Sequence, residues 1–404
     1  MKIAFFIEGN SKNPGGYNQV LNSVIFLSHF FGNKENFIFV TNDENLKKEL
    51  NKLGINSEKY QKNLIEKFID YVFGLKFLFN FLVYFNLKHS FAKFLKKKKI
   101  KLIFFLSPSV YATFCDDINF VINIWDVDHK KNSPFPEHKQ DYVYEKRENY
   151  LNIVLFKAFK IIVPHEENKN ELIKFYNIPS SKITIQTFIP YLPNMDTSLY
   201  KSEADEENYE LQKIKKKKIV LYPATFWAHK NHNYIIEAAK IMAKENTEDF
   251  HFVMTGSDRG NLNHVLKLIN SQNLGNFITV LPLISNSLLK KLYQECFAVI
   301  MPTDSGPTNL PLYEAMYFKK PIFYSNKMDS DKELKEIIFS IDLSDVYSFT
   351  EKLKNISKNN NIEIKITKGF NYYNKFCKKE SLHSTYKSII AEFNTQYSKW
   401  NEKI

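Results

Sequence analysis

The chain has 404 residues, and 44% of them are hydrophobic. This length and hydrophobic content suffice for two domains with substantial cores, and the chain is too long for one ordinary core. Its 11 glycines exclude a collagen-like or glycine-linker protein, and its three scattered cysteines exclude a disulfide framework and a zinc site. The net charge of +12 favours an anionic partner such as a nucleotide diphosphate, an anionic lipid surface or nucleic acid.

The first half alternates apolar strand-like runs with helical segments, which indicates a parallel, doubly wound sheet. Predicted strands lie at 2–7, 36–41, 100–106, 119–124, 160–165 and 183–187, and predicted helices follow the first turn and lie at 43–53 and 141–156. Because the chain opens directly on a strand, we expect no signal peptide, and a protein that is either free in the cytoplasm or at the inner face of the cell membrane. The first turn ends in Gly15 and Gly16, where a ligand could approach the backbone.

Residues 68–87 form an apolar run that is long enough to cross a bilayer. The run includes one aspartate and one lysine, and an intramembrane charge costs roughly 2.5–3.5 kcal/mol, which argues against spanning. Two interpretations stay open: a buried helix of the first domain, or a helix at the membrane interface beside the lysines that follow. The second would make 68–101 a peripheral membrane contact, which suits a lipid-linked acceptor.

The strand at 119–124 ends in a chemically rich segment that contains Asp126, Asp128 and His129. Ligands of open α/β sheets bind outside the carboxyl ends of the strands, so this position is a candidate site. Two carboxylates alone make a poor cation cage, and no metal is expected here. Nucleic acid is not an expected partner either, because the basic runs are not interleaved with exposed aromatics on one module.

The second half repeats the alternation of strands and helices. Predicted strands lie at 218–222, 250–255, 277–281, 298–301 and 321–326, and predicted helices at 234–244, 288–295, 347–357 and 370–393. The segment 302–316 reads as a turn between a strand and a helix, which places free N–H groups and the positive end of a helix dipole at a sheet edge. Such a site binds phosphate, and Glu314, one turn into the helix, could accept hydrogen bonds from sugar hydroxyls.

The run Leu-Pro-Leu-Tyr-Glu-Ala-Met at 310–316, followed by Lys-Pro-Ile at 320–322, resembles the nucleotide-sugar signature of glycosyltransferase family 4. In that family the loop begins with a glutamate, and a second glutamate follows after seven intervening residues. Counting back from Glu314, the first position is Gly306, so the first carboxylate is missing in this chain. The segment Trp125–His129 with Phe-Pro-Glu at 135–137 resembles the same family, in a variant with Trp125 in place of the usual histidine.

The resemblance implies the GT-B fold, in which two Rossmann-like, doubly wound parallel-sheet domains face a cleft. It places an acceptor-side domain at 1–190, a linker at 191–210 and a nucleotide-sugar domain at 211–370. A C-terminal helix at 371–404 is expected to cross back to the first domain.

The resemblance also assigns candidate roles to individual residues. Asp126 is the first candidate for orienting the acceptor or the donor sugar, and His129 is the second. Lys230 matches a lysine that reaches the donor diphosphate, whereas the arginine that usually precedes it falls near Ala224 or Thr225 and is absent. The remaining donor-binding candidates are the loop cation Arg259, the cleft-facing Gly15 and Gly16, the N–H groups of Thr308, Asn309 and Leu310 for the diphosphate, and Glu314 for the ribose.

The implied activity is a retaining, metal-independent transfer of a sugar from a nucleoside diphosphate donor to a hydroxyl of a glycan or lipid-linked acceptor, in bacterial surface polysaccharide assembly. No cofactor is expected beyond the nucleotide-sugar substrate. Two alternatives stay open. A nucleotide-sugar epimerase of the same fold would need a carboxylate base, and the missing glutamate at Gly306 weakens that interpretation. A non-catalytic partner subunit is supported by the missing arginine and glutamate.

Overall fold

The structure is a computed structural model, and it describes residues 1–8, 14–32, 35–61, 89–115, 117–131, 134–192, 214, 216–247, 249–306, 310–328, 332–358 and 361–399. The predicted membrane-interface run 68–87, most of the predicted linker, Thr308 and Asn309 lie outside these residues. The chain divides into two compact units. The first comprises Met1–Pro134, His138–Ile189 and Lys378–Ile404, and the second Phe135–Glu137 and Pro190–Cys377.

The first unit contains a seven-stranded parallel sheet in the order β3-β2-β1-β4-β5-β6-β7. Its strands are β1 Lys2–Ile7, β2 Phe37–Thr41, β3 Ser57–Lys59, β4 Ile100–Phe105, β5 Asn119–Asn123, β6 Lys160–Val163 and β7 Ile183–Ile185. Its longer helices are Pro14–Phe31, Glu44–Lys52, Ser90–Lys97, Val143–Lys157, Glu166–Tyr176 and Lys379–Tyr397. The prediction missed β3, whose sequence Ser-Glu-Lys lacks the apolar run that marks a buried strand.

Aromatic rings fill both faces of the first sheet. Phe5 and Phe6 are neighbours on β1, so their side chains point to opposite faces. The Phe5 ring lies 5.4 Å from that of Phe104, and the Phe6 ring lies 5.4 Å from that of Phe105. All four side chains are buried, and each buried Phe contributes roughly 1.5–3 kcal/mol.

The first helix begins earlier than predicted. It spans Pro14–Phe31, so Gly15 and Gly16 belong to its first turn and not to the turn that precedes it. The physical reason is that proline has a fixed φ and lacks an N–H, which suits the first position of a helix. The glycines still follow β1 at the carboxyl edge of the sheet.

The second unit contains a six-stranded parallel sheet in the order β10-β9-β8-β11-β12-β13. Its strands are β8 Lys218–Pro223, β9 Phe250–Thr255, β10 Ile278–Leu281, β11 Ala298–Met301, β12 Ile322–Ser325 and β13 Phe339–Ile341. The chain passes from β8 outward to β10, then returns to β11 and continues to the other side. The pair β8 and β11 is therefore the topological switch point, where open α/β sheets bind their ligands.

The helices of the second unit correct one prediction. They span His232–Lys244, Leu262–Ser271, Asn286–Glu295, Leu310–Tyr317, Lys332–Ile337, Val346–Asn355 and Ile362–Phe376, and the short helix Pro136–Lys139 begins in this unit. The single helix predicted at 370–393 is wrong, because Lys378 is extended (φ −88°, ψ 139°) and separates Ile362–Phe376 from Lys379–Tyr397. The two helices belong to different units, and no glycine or proline marks the break.

Two further observations concern the predicted environment. Within the part of the chain that the structure describes, none of the helices combines the length and apolar character needed to cross a membrane. All three cysteines, Cys115, Cys296 and Cys377, are buried free thiols.

Candidate active site

Two loops meet at the switch point of the second sheet. The β8 loop (224–230) ends in a tight turn, Ala228–Lys230, and the β11 loop (302–306) follows Met301. Because β8 and β11 are parallel and directly paired, both loops emerge at the same sheet edge. The sequence makes the turn possible, since Asn231, which follows it, adopts the left-handed conformation (φ 53°) that asparagine tolerates.

Hydrogen bonds fix the two loops to one another. The carbonyl of His229 accepts a bond from the backbone N–H of Asp304 (2.9 Å) and another from the Thr303 hydroxyl (3.2 Å). The Tyr222 hydroxyl donates to the carbonyl of Lys230 at 2.6 Å. These contacts hold the backbone of His229 and Lys230 in place, which is a requirement for a preorganised site.

The Lys230 side chain extends over the β11 loop. Its Nζ lies 3.5 Å from the carbonyl oxygen of Ser305. A β-carbon on Gly306 would lie 2.5 Å from that Nζ and 3.6 Å from Nε2 of His229. Gly306 also has a φ of +117°, which favours glycine. The absence of a side chain at residue 306 therefore makes room for a cation where the resemblance expected a carboxylate.

His229 is held by Glu137, a residue that sequence reasoning missed. One carboxylate oxygen of Glu137 accepts the backbone N–H of His229 at 3.1 Å and pairs with Nδ1 of the same residue. Burial alone would raise the pKa of Glu137, but the bonds from His229 outweigh it and lower the pKa to about 2. The carboxyl is therefore ionised at any physiological pH. The only signal for Glu137 in the sequence was the Phe-Pro-Glu segment, and that segment does not indicate which residue Glu137 contacts.

A buried serine hydroxyl adds to the polarity of this edge. Ser305 is 1% exposed, and its Oγ has no hydrogen-bond partner among the described residues. Leaving a buried polar group unpaired costs roughly 1–3 kcal/mol. A polar ligand at the β11 loop would remove that cost.

Glu314 lies in the helix Leu310–Tyr317, which starts shortly after the β11 loop. Its side chain is buried, and burial raises the pKa of this carboxyl to about 7, partly offset by a hydrogen bond from the Tyr293 hydroxyl. Leu310 is the first residue of the helix, and the N–H groups of a helix's first turn have no acceptor within the helix.

Arg259 follows β9 and lies beside the β8 loop. Its guanidinium is 5.8 Å from the centre of the Trp227 ring, a cation–π distance. The loop that follows β9 is in close contact with the β8 loop, since a β-carbon on Gly256 would lie 2.2 Å from the carbonyl oxygen of Ala224. The structure thus brings Arg259, Lys230, Leu310 and Glu314 to the same edge of the second sheet.

A second lysine at this edge was also missed. Lys327 follows β12, and its Nζ lies 2.6 Å from a carboxylate oxygen of Asp304 in the β11 loop. The Lys327 side chain is 56% exposed, so the ion pair is a surface contact of small energetic value.

In the first unit, Asp126 follows β5 and is paired with Arg147. The guanidinium donates to the Asp126 carbonyl at 3.0 Å and pairs with its carboxylate, which also accepts the N–H of Asp128 at 3.1 Å. Burial alone would raise the pKa of Asp126, but the charge and hydrogen bond of Arg147 outweigh it and lower the pKa. Sequence reasoning found Asp126 and missed Arg147.

His129 is fully buried in the first unit. Its Nε2 lies 2.7 Å from one carboxylate oxygen of Glu148, and the same oxygen accepts the Tyr176 hydroxyl at 2.5 Å. Lys130 pairs with the other oxygen of Glu148. Burial and the nearby charge of Arg147 lower the pKa of His129, and Glu148 opposes them. The arrangement fits a residue that supports the segment carrying Asp126.

In the part of the chain that the structure describes, no three His, Cys, Asp or Glu side chains converge in a way that could hold a metal ion.

Comparison with known proteins identifies the enzyme class of the chain. Residues 203–369 match the model of the family described as glycosyl transferases group 1. The protein is a glycosyltransferase with a group 1 domain. That domain covers the second sheet and the loops that carry Lys230, Gly306 and Glu314. A search of curated protein sequences finds no match.

Solved structures match the glycosyltransferase over almost its whole length. HepE from Anabaena, in complex with UDP-glucose, has a TM-score of 0.69 at 13% identity, covering 97% of this chain and 100% of its own. Sucrose-phosphate synthase from Thermosynechococcus elongatus has a TM-score of 0.69 at 14% identity, covering 98% and 100%. The lipopolysaccharide outer core galactosyltransferase WaaB has a TM-score of 0.61 at 14% identity, covering 97% and 100%. At such identities the likeness shows the fold, and the predicted GT-B class with two parallel-sheet α/β domains is confirmed.

Proposed function

We propose that this glycosyltransferase belongs to family 4 and moves a sugar, with retention, from a nucleoside diphosphate donor to a hydroxyl of a glycan or lipid-linked acceptor in bacterial surface polysaccharide assembly. The observation that carries the proposal is the position of Lys230, held by its backbone at the switch point with its ammonium over the β11 loop. A cation at that place matches a diphosphate.

Three features of the second unit support donor binding at this edge. Lys230 supplies a charge, the start of the helix Leu310–Tyr317 supplies backbone N–H groups, and Ser305 supplies a buried hydroxyl. The backbone N–H groups of Thr308 and Asn309, which lie outside the described residues, are proposed as further donors to the diphosphate. HepE was solved with UDP-glucose, so uridine diphosphate is the first nucleotide to test.

Glu314 is the proposed ribose ligand. An ionised carboxylate could accept hydrogen bonds from both ribose hydroxyls, and a pKa of about 7 lets this carboxyl ionise close to neutral pH. Binding of the ribose to the ionised form would then lower this pKa, because hydrogen bonds to the charged form favour it.

The proposed chemistry needs no protein nucleophile and no metal. As the donor bond breaks, an oxygen of the departing diphosphate takes the proton of the acceptor hydroxyl, which attacks on the same face. The protein contributes positioning and stabilises the charge on the diphosphate, the task of Lys230. On the acceptor side, Asp126, kept ionised by Arg147, orients the reacting sugar, and His129 supports its segment.

For the acceptor, the proposal names only a chemical class. WaaB is a lipopolysaccharide outer core galactosyltransferase, which supports a surface-glycan acceptor for this chain. The net charge of +12 favours association with an anionic lipid surface, where a lipid-linked acceptor would be found.

The epimerase alternative is weakened, because Gly306 supplies no carboxylate base and a cation lies in its place.

Thermal-shift binding of UDP, GDP and ADP tests the donor site. We expect one diphosphate to stabilise the wild type, and Lys230→Ala and Glu314→Ala to lose most of that stabilisation. Lys240→Ala, which removes an exposed lysine from the helix His232–Lys244, is the matched control and should respond like the wild type. Transfer from the matching nucleotide sugar, with the anomer of the product assigned by NMR, tests retention. If none of the nucleotides shifts the wild type, the donor assignment fails.

A further inference from the structure

Two basic side chains point toward one place above Gly306. The position of a β-carbon there is 2.5 Å from Nζ of Lys230 and 3.6 Å from Nε2 of His229. The other residues of the β8 loop near its start, Ala224 and Thr225, cannot supply a charge. An anion bound at this position would be close to both the Lys230 ammonium and Nε2 of His229.

The orientation of the His229 ring is set by its neighbours. Glu137 binds Nδ1 and the backbone N–H of His229, so the opposite ring nitrogen, Nε2, is turned away from the carboxylate. The Phe135 ring packs edge-on at 6.0 Å, and the Trp227 ring stacks at 6.4 Å. The His229 and Glu137 side chains are only 11% and 6% exposed. The ring is thus held from three sides.

The charges around the ring determine whether the protonated or the neutral form of His229 is favoured. The ionised carboxylate of Glu137, in direct contact, favours the imidazolium, and the ammonium of Lys230 opposes it. His232 is fully buried and stays neutral, because burial lowers its pKa to about 3. Asp304 contacts His229 through its backbone N–H, and its carboxylate is paired with Lys327. A bound diphosphate would add negative charge and favour the imidazolium further.

We propose that Glu137 and His229 act as a positioning pair that presents the Nε2–H of His229 to the donor diphosphate as a second cation beside Lys230. This inference rests on the proposed function, since it deepens the donor site and names no new reaction. His229 would touch the diphosphate, and Glu137 would act through His229. The role of the pair is to stabilise the negative charge that builds on the leaving diphosphate.

The test compares UDP and uridine binding, by calorimetry from pH 6 to pH 9, for the wild type and four variants: Glu137→Gln, His229→Gln, the double variant and Lys230→Ala. Uridine carries no phosphate, so it reports on the base and ribose subsites alone. His264→Gln, which changes an exposed histidine on the helix Leu262–Ser271, is the matched control.

We expect His229→Gln to bind UDP about tenfold more weakly than the wild type, as the loss of one charge-assisted bond implies, with uridine affinity unchanged. Glu137→Gln keeps an oxygen acceptor and loses the charge. It should therefore lose UDP affinity at pH 8 and regain much of it at pH 6, where histidine protonates without help. The double variant should be no weaker than His229→Gln, since the two residues act as a unit.

Three results would overturn the inference: UDP affinity that is unchanged in His229→Gln, equal losses of UDP and uridine affinity, or a Glu137→Gln profile parallel to the wild type at every pH. If Glu137→Gln fails to fold, the UDP and uridine affinities of His229→Gln still test the inference. The results also distinguish failure of this inference from failure of the proposed function. If Lys230→Ala loses UDP affinity and His229→Gln does not, only the pair is wrong, whereas a wild type that binds no nucleotide diphosphate refutes both.

Discussion

The ammonium of Lys230 lies where a side chain on residue 306 would begin, because a β-carbon on Gly306 would stand 2.5 Å from Nζ. The two residues are far apart in the chain and meet only because β8 and β11 pair at the switch point. A lysine in this position and a glutamate at residue 306 would compete for the same space. The glycine that replaces the expected carboxylate is therefore linked sterically to the lysine.

The first prediction concerns Gly306→Ala. The new β-carbon would displace the flexible end of Lys230, so we expect UDP affinity to fall about tenfold through loss of a charge-assisted bond. The φ of +117° adds a conformational cost of about 1 kcal/mol to the folded state. UDP titration and urea unfolding of the same variant separate the two effects.

Gly54→Ala is the matched control for that substitution. Gly54 also has a positive φ, +73°, but a β-carbon there meets nothing within 4 Å. It should lose a similar amount of stability and keep the wild-type affinity for UDP. Equal affinity losses in the two variants would show that strain, and not the position of Lys230, governs binding.

The second prediction follows from Glu314. Burial raises the pKa of this carboxyl from 4.5 to about 7, so folding favours its protonated form. Its contribution to stability is present below about pH 4.5 and is lost as the pH rises through about 7. Glu314→Gln should remove this loss and be more stable than the wild type at pH 8 by up to about 3 kcal/mol.

Urea unfolding at pH 5, 6, 7 and 8 measures that difference. Glu295→Gln, an exposed carboxylate at the end of the preceding helix, is the control and should follow the wild type at every pH. Glu314→Gln should still bind UDP more weakly. A free-energy difference between Glu314→Gln and the wild type that does not change with pH would mean that Glu314 does not titrate in this range.

The third prediction concerns Asp126 and Arg147. Arg147 lowers the pKa of Asp126, so Arg147→Met should raise that pKa. If turnover needs the ionised Asp126, the acid limb of the rate profile moves to higher pH. Asp126→Asn should lower turnover by about a hundredfold at every pH above the acid limb of the wild-type profile, with UDP affinity unchanged.

Rates of sugar transfer from pH 4 to pH 9 test both variants, with Lys146→Met as the control, since it removes an exposed neighbouring cation. A wild-type profile in Arg147→Met would show that the ion pair serves stability alone. A loss of UDP affinity in Asp126→Asn would place this residue on the donor side.

The strands at the centres of both sheets could be predicted because they are short apolar runs buried on both faces, as in Ala298–Met301. Elements without that signal were missed, such as the three-residue strands Ser57–Lys59 and Phe339–Ile341. The helix break at Lys378 was missed because no proline or glycine marks it.

The candidate site was predictable only where one residue sits next to a recognisable motif. Lys230 and Glu314 follow strands and belong to such motifs, and the structure places both at one sheet edge. The partners of site residues were not predictable, because the fold brings them together from distant positions. Glu137 and His229 are 92 residues apart, and no local pattern links them.

The last prediction concerns the C-terminal helix Lys379–Tyr397, which packs in the first unit through Tyr386. The Tyr386 ring lies 5.1 Å from that of Phe104 and 6.1 Å from that of Phe5, and its hydroxyl accepts a bond from the Asn123 amide at 3.4 Å. Tyr386→Ala should destabilise the first unit by about 3–5 kcal/mol, through lost burial and a cavity. Tyr386→Phe, which removes only the hydroxyl, should cost about 1 kcal/mol.

Urea unfolding measures both variants of Tyr386, and Lys387→Ala, an exposed position on the same helix, is the control. Burial raises the pKa of Tyr386 to about 12, against the Asn123 bond, so its hydroxyl is neutral and these costs should not vary between pH 6 and pH 9. The folded variants should bind UDP like the wild type, because Lys230 and Glu314 lie in the second unit. A stability loss in Tyr386→Ala no larger than in Tyr386→Phe would mean that the ring contributes little and that the helix is held elsewhere along its length.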